Sequence, residues 1–234
     1  MNKIIIIAII IMSMIICSIL IYQKPEPAPF QVPLEAFSTF LPQQTTIPIS
    51  INYTITYEDD SNSIQYLWDT LNQYTENKKI TAGILAVYYR ESKFQSNCVC
   101  GWHSYYKATG INLCETETKI IDAGLSDGSS WEYFYNTCRI DHFGYGLCQW
   151  YANTYITDFY QFAQEWNTSI ADAEMQCAFT VWSIKNHHNE LWEFLNTCES
   201  ATTAGYYLGT IYDGSKDGGE DFGELADYYY KLYN

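Results

Sequence analysis

All six prolines of this 234-residue chain fall between Pro25 and Pro48, and none follows. Proline fixes φ and stiffens extended backbone, so Pro25, Pro27, Pro29, Pro33, Pro42 and Pro48 mark a semi-rigid linker over residues 24–48. That boundary leaves residues 49–234 as the expected folded domain. Ahead of the linker, residues 1–23 hold an apolar run from Ile4 to Ile21 with Lys3 before it. A run of about 18 apolar residues just spans a bilayer and exceeds most signal-peptide cores. No small-x-small cleavage site stands before Tyr22-Gln23-Lys24, so the reading is a signal anchor through residues 4–21, with a cleaved signal peptide as the alternative. Either way the domain is expected to be extracytoplasmic, membrane-anchored or secreted.

Ile47, Ile49, Ile51, Tyr53, Ile55 and Tyr57 alternate with Pro48, Ser50, Asn52, Thr54 and Thr56, the period of a half-buried strand. It has no hairpin partner nearby. It reads as an edge strand on the domain, or as one that docks onto a protein partner. After Asp59–Ser63 the period changes. Ile64, Leu67, Trp68, Leu71 and Tyr74 have helical spacing, and a second helix runs through Thr81–Ser92, T-A-G-I-L-A-V-Y-Y-R-E-S. There Ile84, Val87, Tyr88 and Glu91 share a face, which puts one carboxylate at the end of an apolar stripe. Desolvation raises the pKa of such a group, and a glutamic acid protonated near neutrality can donate a proton to a leaving oxygen. The plainer reading is a helix end whose last glutamate reaches water.

Periodicity fails from Phe94 to His142. Then comes Gly144–Trp150, G-Y-G-L-C-Q-W, where two glycines permit a tight turn and close backbone approach. Gln149 carries a donor and an acceptor for a sugar hydroxyl or amide, and Tyr145 and Trp150 offer flat faces for pyranose rings. Helical stripes return at Tyr155, Phe159, Phe162 and Trp166, then at Ala173, Cys177, Thr180, Val181 and Ile184. Leu191, Phe194 and Leu195 make another, and a short Tyr-rich helix closes over Leu225–Leu232.

Glu91-Ser92 followed by a glycine-bounded G-L-x-Q is similar to the signature of the goose-type lysozyme and lytic transglycosylase superfamily. More closely, T-A-G-I-L-A-V-Y-Y-R-E-S-K-F-Q-S-N, G-Y-G-L-C-Q-W and A-D-A-E-M-Q-C-A-F-T-V-W, in that order, resemble the phage tail lysozyme family of peptidoglycan hydrolases. The resemblance spans about Ile64 to Leu232. It implies a mainly α, lysozyme-like α+β domain with a small β element, and a cleft wall expanded over the aperiodic segment. It implies Glu91 as general acid, with Ser92, Tyr145, Gln149 and Trp150 at the substrate and no required cofactor. The expected reaction is cleavage of the β-1,4 link between N-acetylmuramic acid and N-acetylglucosamine. Lytic transglycosylation of the same bond is the alternative, and a glycan-binding module that kept the fold without the chemistry is another. For a second carboxylate, Asp141 is nearest the turn in the sequence, with Asp122, Asp127 and Glu132 also open. The chain departs from the family in lacking arginine over Tyr151–Ile156 and Phe222–Ala226, so its groove must be lined differently.

Seven cysteines lie beyond the apolar run: Cys98, Cys100, Cys114, Cys138, Cys148, Cys177 and Cys198. In an exported domain they read as disulfides with one left over, their connectivity open. Cys98-x-Cys100-x-x-His103 is the weaker zinc reading. A thiol enzyme would use Cys148 with His142, His187 or His188 as base, although its place in the turn suits packing better. Asp213–Glu224 has the spacing of a calcium loop, with Glu220 where an aliphatic residue is usual. The alternative there is an acidic turn before the last helix. A net charge of −15 with only Arg90 and Arg139 for arginines excludes a phosphate-binding surface, and with it nucleic acid. Capture of a glycan would then rest on stacking and hydrogen bonds.

Overall fold

A computed structural model of the chain describes residues 61–99, 113–140, 144–151, 155–215 and 219–234. The expected anchor (4–21), linker, strand 47–57, Cys100, His103, Asp141 and His142 lie outside them. Among the described residues no helix is long and apolar enough to cross a membrane.

The fold is built on one interior helix. Helix α1 (Ser61–Thr75) turns through Glu76 and Asn77 into α2 (Lys78–Ser92), whose N-cap Asn77 accepts from the Lys79 amide at 3.0 Å. Every residue of α2 from Ile80 to Tyr88 is buried, not one face alone. The sequence allows this because the positions between the large apolar ones are small: Thr81, Ala82, Gly83 and Ala86. At Gly83 an added Cβ would sit 2.7 Å from Leu208 Cδ1 and 3.1 Å from the Gly205 backbone nitrogen, so this position sets how closely the C-terminal helices approach. Lys93 ends the helix in the left-handed conformation (φ 55°), its amide reaching back to the last turn.

Around α2 lie α1, α8 (Ala201–Tyr207) and α9 (Glu220–Tyr233), while α6 (Ala173–His187) packs on α1 and reaches α2 through the Tyr88–Thr180 hydrogen bond. Helix α7 (Asn189–Thr197) follows α6, and Leu191 and Leu195 tie it to the same core. The predicted stripes at Ile64–Tyr74, Tyr155–Trp166, Ala173–Ile184 and Leu191–Leu195 are α1, α5 (Ile156–Trp166), α6 and α7. Phe194, however, is exposed.

The aperiodic stretch is the main departure from expectation. It contains α3 (Leu113–Ala123) and α4 (Trp131–Ile140). Helix α3 buries Cys114, Glu117 and Ile121, and α4 buries Phe134 and Cys138, so much of the packing face consists of residues that do not read as apolar. The β character is small: among the described residues it consists of isolated bridges pairing Val99 with Tyr145 and Tyr145 with Trp150.

The expected disulfides are not formed among the described cysteines. Cys138, Cys148 and Cys177 pack as thiols, their pKa values pushed up by burial. Cys114 meets the Cys98 side chain and accepts from the Val99 amide at 3.4 Å.

Candidate active site

The turn at residues 144–150 is held against α6 by one side chain. Gln176, fully buried, accepts from the Leu147 amide at 2.8 Å and donates to Ser96 O at 2.7 Å and Ile170 O at 2.8 Å. Gly146 permits this approach: its φ is +78°, and a Cβ there would lie 2.7 Å from Gln176 Oε1. Gln149, itself at φ 51°, donates through Nε2 to Gly146 O (2.8 Å) and Cys98 O (3.1 Å). The turn therefore comes to the end of α2 as a rigid unit. Tyr88 reinforces the junction through a 2.7 Å hydrogen bond with Thr180.

A cleft opens where these pieces meet. Glu91, Cys148, Gln149, Trp150, Tyr151, Tyr155, Tyr212 and Asp213 line it. Glu91 is brought there by the last turn of α2. Asp213 comes from the other side, just after a π-helical segment, Leu208–Tyr212, that continues α8. The wider π turn resets the register, so that Tyr212 and Asp213 turn toward α2.

The two carboxyl groups share a hydrogen bond. Burial raises the Glu91 pKa to about 7, helped by the Asp213 charge and that hydrogen bond and opposed by Arg90 and Lys93. Burial also lifts Asp213 to about 6, while its hydrogen bond to Glu91 and the Arg90 charge pull the other way. Two carboxyls in contact cannot both ionise cheaply, so near neutral pH they hold one proton between them.

Of the residues singled out from sequence, Glu91, Gln149 and Trp150 come together at this cleft. Trp150 is only 3% exposed, stacked on Phe159 at 4.6 Å, and donates to the Tyr212 hydroxyl at 3.2 Å. Tyr145 lies in the core, edge-on to Phe134 with its hydroxyl on Thr118, and presents no open face for a sugar. Ser92 is buried and donates to Tyr88 O at 3.0 Å, within its own helix. Of the carboxylates weighed as partners for Glu91, Asp141 lies outside the described residues and the other three lie elsewhere. Asp122 accepts from Ser169 and the Ile170 amide, Asp127 accepts from the Ser129 amide in an exposed turn, and Glu132 is exposed on α4.

Asp213 is the residue that sequence reasoning read differently, as the first position of a calcium loop. Its side chain bonds to Glu91 instead. Asp217 lies outside the described residues, and among those described no three metal-binding side chains cluster.

The thiol reading is also weakened. Burial and the neighbouring Glu91 and Asp213 charges hold the Cys148 pKa well above its ordinary value. His187 and His188 bond to Asp158 and Tyr155 rather than to the thiol.

What stands at the end of α2 is a carboxyl whose pKa burial raises to about 7, in a partly desolvated cleft beside exposed aromatic surface, an arrangement suited to giving a proton to a leaving oxygen. Residues 58–233 match the family model described as phage tail lysozyme. No curated protein and no solved structure matches significantly. The family match covers most of the chain and carries peptidoglycan lysis in general with it: the chain belongs to the phage tail lysozyme family.

Proposed function

We propose that this chain is a peptidoglycan glycosidase that cleaves the β-1,4 bond between N-acetylmuramic acid and N-acetylglucosamine, with Glu91 as the proton donor. One observation carries the reading: the Glu91 carboxyl is held near pKa 7, in hydrogen-bond contact with Asp213, at the floor of a cleft with three tyrosines. Glu91 donates its proton to the glycosidic oxygen as the C–O bond breaks and positive charge develops at the anomeric carbon. General-acid help of this kind is worth about 10²–10⁴ in rate. Once that proton has left, both carboxyls are anionic, and their mutual repulsion favours the return of a proton to Glu91. The Glu91 carboxylate is then placed to take a proton from the incoming hydroxyl.

The carboxyl separation bears on the second half of the reaction. Retaining pairs stand about 5–5.5 Å apart and inverting pairs about 6.5–9.5 Å. Glu91 and Asp213 are in hydrogen-bond contact, closer than either. Asp213 is therefore the partner of the acid rather than a nucleophile or base on the opposite face. Among the described residues, no other carboxylate lines the cleft. That observation favours a second reading of the same site, in which the substrate's own hydroxyl completes the reaction and leaves an anhydro sugar.

The test is mass spectrometry of muropeptides released from purified walls by the wild type and by Glu91→Gln. Glycosidic fragments from the wild type alone support the proposal, and an anhydro mass separates transglycosylation from hydrolysis. Stem-peptide cleavage, or undiminished release by Glu91→Gln, would sink it.

A further inference from the structure

Tyr155 is fixed more thoroughly than its place in the chain requires. It stands at the N-terminus of α5, yet makes no side-chain cap. Its ring instead stacks on His187, with centroids 4.5 Å apart and planes 9° from parallel, and its hydroxyl hydrogen-bonds His188 Nε2. His187 is itself held by Asp158, one turn into α5, at 2.8 Å. On the cleft side Tyr155 runs nearly parallel to Tyr212 (13°, 6.3 Å), and Tyr212 shares a hydrogen bond with Ser183 at 2.8 Å. A relay of rings thus leads from the α6–α7 corner to the residue before Asp213. Proton donation by Glu91 does not use it.

The ring is half-buried, has His187 stacked on one face, and lines the same cleft as Glu91. Glycan recognition by an acidic chain cannot rely on attraction between opposite charges and needs flat apolar surface. A ring already immobilised loses little freedom when a sugar covers it, which is how preorganisation improves affinity. Tyr145 and Trp150 are too deeply packed to serve.

We propose that Tyr155 is the stacking wall for the N-acetylhexosamine ring bound beside Glu91, and that His188 is its positioning residue, acting through the Tyr155 hydroxyl. The inference rests on the glycosidase reading of the cleft for its substrate class, but binding tests it separately from catalysis.

The experiment titrates the N-acetylglucosamine tetramer into the full chain carrying Glu91→Gln, which removes turnover, and reads Kd calorimetrically. Adding Tyr155→Ala is expected to weaken Kd about tenfold, the effect of losing one stacked ring. Tyr155→Phe and His188→Ala should each weaken it by about threefold, because both cut the same hydrogen bond. Combining them should cost no more than the worse single change. In Glu91-containing protein, Tyr155→Phe should raise KM and leave kcat, since the wall does not touch the reacting atoms.

A Kd unchanged by Tyr155→Ala, tetramer binding undetectable in every form, or fully additive effects of Tyr155→Phe and His188→Ala would each overturn the proposal. If Glu91→Gln still lyses walls while Kd follows Tyr155, the acid assignment falls and the wall stands.

Discussion

Replacing Asp213 by asparagine tests how the cleft sets its own proton affinity. In the wild type the pair titrates at about 6 and about 7, so the form carrying one proton dominates between those values and kcat/KM should peak there. Asparagine leaves the largest cause of the Glu91 shift, burial, in place, but removes the adjacent negative charge. Losing that charge should lower the Glu91 pKa by about one unit, or about 1.4 kcal/mol. At pH 7 the protonated fraction then falls from about one half to about one tenth, and kcat/KM by about fivefold. At pH 5 the variant should instead exceed the wild type, because the acid limb of the bell disappears with the group that causes it. The assay is kcat/KM against pH on wall suspensions. An alkaline limb that stays at about 7 refutes the coupling, and a variant dead at every pH makes Asp213 a reacting group rather than a partner.

Other expectations follow from the same geometry. Because both carboxyls have raised pKa values, the folded state holds their protons more tightly than the unfolded chain. Their contribution is therefore favourable at low pH and is lost as pH rises from about 4 through about 7. Asp213→Asn should accordingly melt higher than the wild type at pH 8 by about 1–2 kcal/mol, after discounting for partial solvent screening, and show no such gain at pH 4. Equal shifts at both pH values would contradict the linkage. Gln176→Ala removes three buried hydrogen bonds and strands their partners, so denaturant titration should find about 3–5 kcal/mol lost; a change under about 1 kcal/mol would mean the turn is held by something else. Cys148→Ser should retain lysis within a few-fold, whereas abolition would revive a thiol mechanism.

Much of this fold could be read from the chain because large apolar residues recur at helical spacing in α1, α5 and α6. Glu91 stood out for the same reason, as a charge closing an apolar stripe. Helices α3 and α4 hid because Glu117, Cys114 and Cys138 pack inward, where a pattern of apolar residues does not register them. Helix α8 hid because Gly205 and Ala204 make the contact by being small: a Cβ on Gly205 would lie 2.4 Å from Phe222 O. Asp213 could not be placed by spacing, since the π segment before it breaks the helical count by which its direction would be judged. The aromatic residues illustrate a different limit. Tyr145, Trp150 and Tyr155 are alike in sequence, and only packing separates the two whose rings are buried from the half-buried one.

Carbon-13 NMR of the side-chain carboxyl carbons, titrated from pH 3 to pH 9 and assigned by comparison with Glu91→Gln, measures the decisive quantity without reference to any substrate. The account predicts that the Glu91 resonance moves with its main midpoint near 7 and carries a second inflection near 6 from Asp213. A single midpoint near the ordinary glutamate value of about 4.3 would show a solvated, ionised side chain, and proton donation from Glu91 would have to be abandoned.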